Sequence, residues 1–116
     1  MRYVLLIHGD EAAQEAVTPE QGAEMMKAYD AFMAEVGTSG VLQGGERLRP
    51  SADSTTVRVR DGQLTTSDGP FAETKEQIGG YFVVDCANLD EAIGVAAKIP
   101  AVHVGGTIEV RPIWEM

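Results

Sequence analysis

The sequence predicts an α+β fold of the split βαβ type, with an extra hairpin set into its middle. Three observations predict it. Two short runs, YVLLIH (residues 3–8) and YFVVDC (81–86), are apolar at odd and even positions alike, as strands covered on both faces are. Two segments, opening at Thr18 and Asn88, carry helix start signals ahead of apolar residues at helical spacing. Between them, STTVRVR and QLTTS flank an Asp61-Gly62 pair, the residues that a two-residue type I′ turn requires.

YVLLIH reads as a central strand, followed by a polar linker. Thr18-Pro19-Glu20-Gln21 then supplies an N-cap, a proline at the first helical position and the glutamine of a capping box. Met25, Tyr29, Phe32 and Val36 form one apolar stripe of the helix, joined by Met26 and Met33, and GTSG (37–40) ends it. VLQGGERL (41–48) reads as a strand loosened by two glycines, and PSAD as a loop. The hairpin follows, then the charged stretch DGPFAETKEQ (68–77), then YFVVDC. A second helix runs from the Asn88 cap through Leu89, Ile93, Ala96 and Ala97 to Lys98, with Pro100 beyond it. TIEVRPI alternates as the last strand.

This order is that of a ferredoxin-like sandwich in a single domain, 1–116. Right-handed crossovers set the first and third principal strands in the middle of the sheet, and those are the two runs apolar on both faces. Both helices pack on one face of such a sheet, so the second apolar face needs a cover that the chain does not supply. A homodimer, sheet against sheet or with the hairpin reaching across, meets that need.

Eighteen acidic against nine basic residues give a net charge of −9, which repels nucleic acid. Residues 1–40 hold much of the excess, as the wet face of a helix does. No apolar run approaches the ~20 residues of a membrane helix, and Asp10-Glu11 interrupts any signal-peptide pattern, so a cytoplasmic protein is expected. The single cysteine, Cys86, reads as buried filler. No nucleotide fingerprint, serine-hydrolase elbow or repeated metal-ligand spacing occurs, and neither a metal nor another cofactor is expected.

The blocks MRYVLLIHGDE, GGERLRP, TTVRVRDG, SDGPFAETKEQIGGYFVVD, AAKIPA and IEVRPI resemble the YCII-related, DGPF-domain family of bacterial proteins over nearly the whole chain. The resemblance implies a ferredoxin-like protomer that forms a dimeric α/β barrel. It also implies, for some relatives, a catalytic pair made of a histidine on the first helix and an aspartate before a proline after the second. This chain departs from that pattern, with Tyr29 and Ile99 at those positions and no histidine between Thr18 and Gly40. A regulatory or stress setting beside sigma factors is implied as well, without a reaction.

Two readings of Asp68-Gly-Pro-Phe stand side by side. In one it is a turn, with Asp68 accepting N–H groups of its own loop and Phe71 anchored in the core. In the other Asp68 is a general base or ligand acceptor at a cleft mouth. His8, at a central strand's end, is a second candidate for proton transfer, and His103 ranks behind it. Arg47, Arg49, Arg58 and Arg60 put four of the nine bases into fourteen residues, a grip for a carboxylate or phosphate, with Arg58 and Arg47 the candidate ligand-binding residues. Glu73 and Tyr81 complete that set. The leading expectation is a dimer that binds a small anionic organic ligand, with proton-transfer or lyase-type chemistry. The alternative is a non-catalytic regulatory module that docks a basic protein through the acidic helix and the DGPFAETKEQ loop.

Overall fold

The computed structural model describes residues 1–116. Strand β1 (Arg2–Asp10) leads through a five-residue helix α1 (Glu11–Glu15) into the long helix α2 (Pro19–Gly37). Then come β2 (Leu42–Arg47), a 3₁₀ turn (Ser51–Asp53), the hairpin strands β3 (Thr55–Arg60) and β4 (Gln63–Asp68), and β5 (Glu76–Asp85). Helix α3 (Leu89–Ala97), a second 3₁₀ turn (Pro100–Val104) and β6 (Thr107–Pro112) finish the chain.

The main sheet has the order β2-β5-β1-β6 and every pairing in it is antiparallel. The two runs that are apolar on both faces are therefore its middle strands, in the ferredoxin-like order. β3 and β4 pair only with each other, as a separate two-stranded sheet. Their turn has φ of 50° at Asp61 and 76° at Gly62, the pair of positive angles that lets a hairpin keep its right-handed twist.

Helix α2 begins as its sequence dictates. Thr18 Oγ1 accepts from the Gln21 N–H at 3.2 Å, and Gln21 Oε1 accepts from the Thr18 N–H at 3.0 Å. Only its C-terminal half has core beneath it: Phe32 and Val36 are buried, while Met26 and Met33 face solvent instead of extending the apolar stripe. In α3 the buried side is Ala92, Val95 and Ala96, continued by Ile99, and Leu89 and Ile93 stand half exposed. The stripe lies one residue from its expected place because small alanines let the helix lie close to the sheet. The linker after β1 is itself helical, since the Asp10 carboxylate caps it by accepting from the Ala12 and Ala13 N–H groups at 3.0 and 3.4 Å.

Strand parity divides the sheet into two faces. Tyr3, Leu5 and Ile7 of β1, Phe82 and Val84 of β5, and Ile108 and Val110 of β6 meet the helices, with the Phe32 and Phe82 rings 5.2 Å apart. Leu5 is wholly buried at the centre. Leu5→Ala is expected to cost roughly 2–5 kcal/mol, because the cavity lies between two layers that cannot both collapse into it. Urea unfolding checks this, and a loss below about 1 kcal/mol would mean that the layer relaxes freely.

Val4, Leu6, Tyr81 and Val83 point the other way, onto a face that no element of the chain covers. The molecule is correspondingly flat, 48 × 43 × 18 Å, with a radius of gyration of 16.1 Å where a compact chain of this length has about 13 Å. Its accessible surface is 8241 Å², against roughly 6,100 Å² for a compact monomer of the same mass. Only 13 of 116 residues are buried, so the chain keeps a one-sided core. No helix is long and apolar enough to cross a membrane.

Candidate functional site

Asp68 ends β4, and the DGPF turn leaves the hairpin at that point. The turn is closed from outside. The Gly69 N–H donates to the Ser54 carbonyl at 2.7 Å, and Thr56 Oγ1 donates to the Gly69 carbonyl at 2.8 Å. These bonds across the base of the hairpin do what Asp68 was expected to do, and the Asp68 carboxylate stays exposed with no hydrogen bond. Phe71 is 77% exposed rather than anchored in the core. Its ring is stacked instead by Arg58, whose guanidinium carbon lies 5.0 Å from the ring centre.

Beyond Phe71 the loop is fastened by the first residues of β5. Gln77 Nε2 donates to the carbonyls of Ala72 and Thr74 at 2.8 and 3.2 Å. Pro70 and Phe71 thus form a held ridge between two open clefts, which share Pro70, Phe71, Gln77 and Ile78. The first, about 1020 Å³, lies against Arg47, Arg49, Ser51, Ser54, Thr55 and Thr56. The second, about 740 Å³, is bordered by His8, Lys75 and Glu76.

In the first cleft Arg49 is paired with Asp53 at 3.0 Å, whereas no carboxylate lies within salt-bridge distance of Arg47. The far wall is fixed by a contact between residues forty apart in sequence. Glu11 accepts from both the Ser51 N–H, at 2.7 Å, and the Ser51 hydroxyl. These two bonds hold the Glu11 carboxyl below the usual carboxylate range. A depressed folded-state value means that the contribution of Glu11 is complete above the unfolded-state pKa and is lost as pH falls through the folded one. The protection of the residue 51–54 amides, measured against their intrinsic exchange rates, is therefore expected to fall as pH drops below the ordinary carboxylate range, and Ser51→Ala to bring the same loosening at neutral pH. Equal protection in the variant and the parent would show that Glu11 does not hold the wall.

In the second cleft His8 Nε2 lies 3.2 Å from Glu109 Oε1, and Glu109 is also hydrogen-bonded by Arg111. The Arg111 bond chiefly, with that from His8, keeps the Glu109 carboxyl below its ordinary range.

The residues singled out in sequence are thus distributed. Arg47 lines one cleft and His8 the other, with Arg58 stacked on the ridge between them. Glu73 is exposed in the loop. Tyr81 stands on the open sheet face opposite Leu6, and Asp68 opposite Thr55 on the hairpin. No hydrogen bond joins any two of these six. Gly80 lets the backbones of β5 and β2 come close: a Cβ there would lie 2.9 Å from the Glu46 carbonyl oxygen of β2. The Glu11–Ser51 contact and the pair Glu109 and Arg111 escaped the sequence reading. For the last two a signal existed, since TIEVRPI is the strand expected beside that of His8 and its polar positions alternate.

The family model for the YCII-related domain matches residues 1–116. The chain belongs to the YCII-related family. This YCII-related chain is also 36% identical over 114 residues to an uncharacterized protein of Rhizobium meliloti (strain 1021), a match covering 97% of this chain and 92% of the relative. Within the YCII-related fold, Ile99 is wholly buried and Tyr29 packs against the core. Burial pushes the Tyr29 phenol up, partly opposed by the Ala101 backbone and the Arg47 charge. Tyr29, at the helix position where the resemblance implied a histidine, is here a half-buried phenol near Arg47.

Proposed function

We propose that this YCII-related protein is a homodimer that binds a small anionic organic molecule at the DGPF ridge, with proton transfer as its chemistry. The observation that carries the reading is Arg47, a cation without a carboxylate partner at a cleft wall in a chain of net charge −9. In so acidic a protein a guanidinium without a carboxylate partner at a wall that also carries the Ser54 and Thr55 hydroxyls favours a carboxylate or phosphate that presents several acceptors at once. Arg58 and Phe71 give the ridge a cationic and an apolar surface for the rest of the ligand. Titration calorimetry with inorganic phosphate, 2-oxoglutarate and succinate tests the reading. Saturable binding to at least one of them is expected; heats no larger than dilution for all three would sink it and direct attention to the basic protein partner.

The dimer rests on area. The protomer exposes about 2,100 Å² more than a compact monomer of its mass, an excess of the size that obligate dimers bury. Val4, Leu6, Tyr81 and Val83 supply the apolar part of a sheet face that also carries Glu109 and Arg111, and Val57, Val59 and Leu64, 60%, 67% and 68% exposed, share one face of the hairpin. An isolated two-stranded hairpin is marginal in water, which favours packing of this arm on a second copy.

A further inference from the structure

We infer that Glu109, held by Arg111, is a positioning residue for His8, which serves as the proton acceptor of the second cleft. This deepens the anion-binding reading and rests on it for the ligand. The geometry begins with the carboxylate. An ionised carboxylate only accepts hydrogen bonds, so the 3.2 Å contact requires the hydrogen on His8 Nε2. Arg111 reinforces the ionised state and fixes the carboxylate from its far side. The neutral ring is thereby left with a bare lone pair on Nδ1, and Nδ1 has no hydrogen bond of its own.

His8 borders the second cleft and Arg47 the first, and the two clefts share Pro70, Phe71, Gln77 and Ile78. The register sets Arg47 beside Gly80 on the helix face and His8 on the face of Leu6, so the cation at the border of the His8 cleft is Lys75, 3.9 Å from Asp10, with Glu76 the other charged group there. A ligand with its anionic group at Lys75 and its remaining carbons over Phe71 brings those carbons toward His8. The chemistry that fits is abstraction of a proton from carbon beside a carbonyl of an anionic keto compound. The C–H electron pair moves into a C–C double bond, the carbonyl π pair onto oxygen as an enolate, and the proton onto Nδ1. Glu109 stabilises the imidazolium that results. Return of that proton to the same carbon closes the step with no further reactant.

Two measurements on the full chain decide it. The first needs no ligand: ¹⁵N spectra of the histidine rings. The parent is expected to show neutral His8 as one tautomer, with a slowly exchanging proton on Nε2, and Glu109→Gln to give mixed tautomers and fast exchange, because an amide both donates and accepts. A proton on Nδ1 in the parent, or spectra unchanged by Glu109→Gln, would overturn the positioning role. The second follows deuterium entry from heavy water into the carbon next to the ketone of 2-oxoglutarate. Acceleration over buffer is expected, falling by about 100-fold or more in His8→Ala and by less in Glu109→Gln, with calorimetric binding retained in both. Saturable binding without accelerated exchange would overturn the proton-transfer role alone, whereas absent binding counts against the anion reading and leaves the ring spectra to judge Glu109.

Discussion

Arg47→Ala is expected to weaken small-anion binding by roughly 10- to 100-fold while leaving stability within about 0.5 kcal/mol of the parent. The first figure follows from losing a hydrogen bond between two charged groups, worth about 1.5–3 kcal/mol. The second follows from exposure, because Arg47 has no carboxylate partner that its removal would leave stranded. Arg60→Ala is the control, since it subtracts the same charge at the end of β3, next to the hairpin turn and away from both cleft borders. Titration of each variant with 2-oxoglutarate and phosphate separates the two effects. If Arg60→Ala weakened binding as much as Arg47→Ala, the anion would be responding to net charge and the cleft would lose its role. Arg47→Lys is expected to recover only part of the affinity, because an ammonium matches a carboxylate as a point charge and without the two-pronged fit.

A single acid on the open sheet face is expected to break the proposed dimer. Leu6 stands opposite Tyr81 on one side and Glu109 on the other, in the middle of that face. Leu6→Glu places an unpaired carboxylate where the second copy would remove water, at a cost of several kcal/mol. Sedimentation should then give the 12.4 kDa protomer at concentrations where the parent has twice that mass. The variant also leaves a broad apolar face in water, so low solubility is expected with it. Leu64→Asp provides an independent arm of the test. Leu64 is exposed and pairs with Val59 at the hairpin, so its replacement leaves the protomer core untouched. A parent protein that sediments as a monomer at micromolar concentration would overturn the dimer, as would a Leu6→Glu variant that remains fully dimeric.

Legibility in the sequence followed the range of the interaction. The capping box at Thr18 and the Asp61-Gly62 turn depend on neighbours within four residues, and both are found as the local chemistry requires. The central placing of YVLLIH and YFVVDC was also legible, because burial on two faces removes the polar alternation of an edge or surface strand. The helices were legible in position and less so in the side they bury. Met26 and Met33 have the right spacing and no sheet beneath them, and the alanines of α3 carry too weak a periodic signal against Leu89 and Ile93.

The candidate site was legible as a list of residue types and illegible as an arrangement. DGPFAETKEQ announced a rigid loop by its Gly, Pro and Asp, yet the groups that hold it come from Ser54, Thr56 and Gln77. The bond from Glu11 to Ser51 spans forty residues and that from His8 to Glu109 spans 101, so neither has any local trace. The sequence by itself determined the order of elements, their caps and turns, the middle strands and the acidity that makes Arg47 conspicuous. Only the tertiary structure decided that Phe71 is a ridge instead of a core anchor, that Asp68 is left without a partner while His8 gains one, and that two clefts meet at the ridge. The physical reason is that propensity and periodicity act over one turn of helix or one strand, whereas a site forms where strand register brings distant side chains to one face.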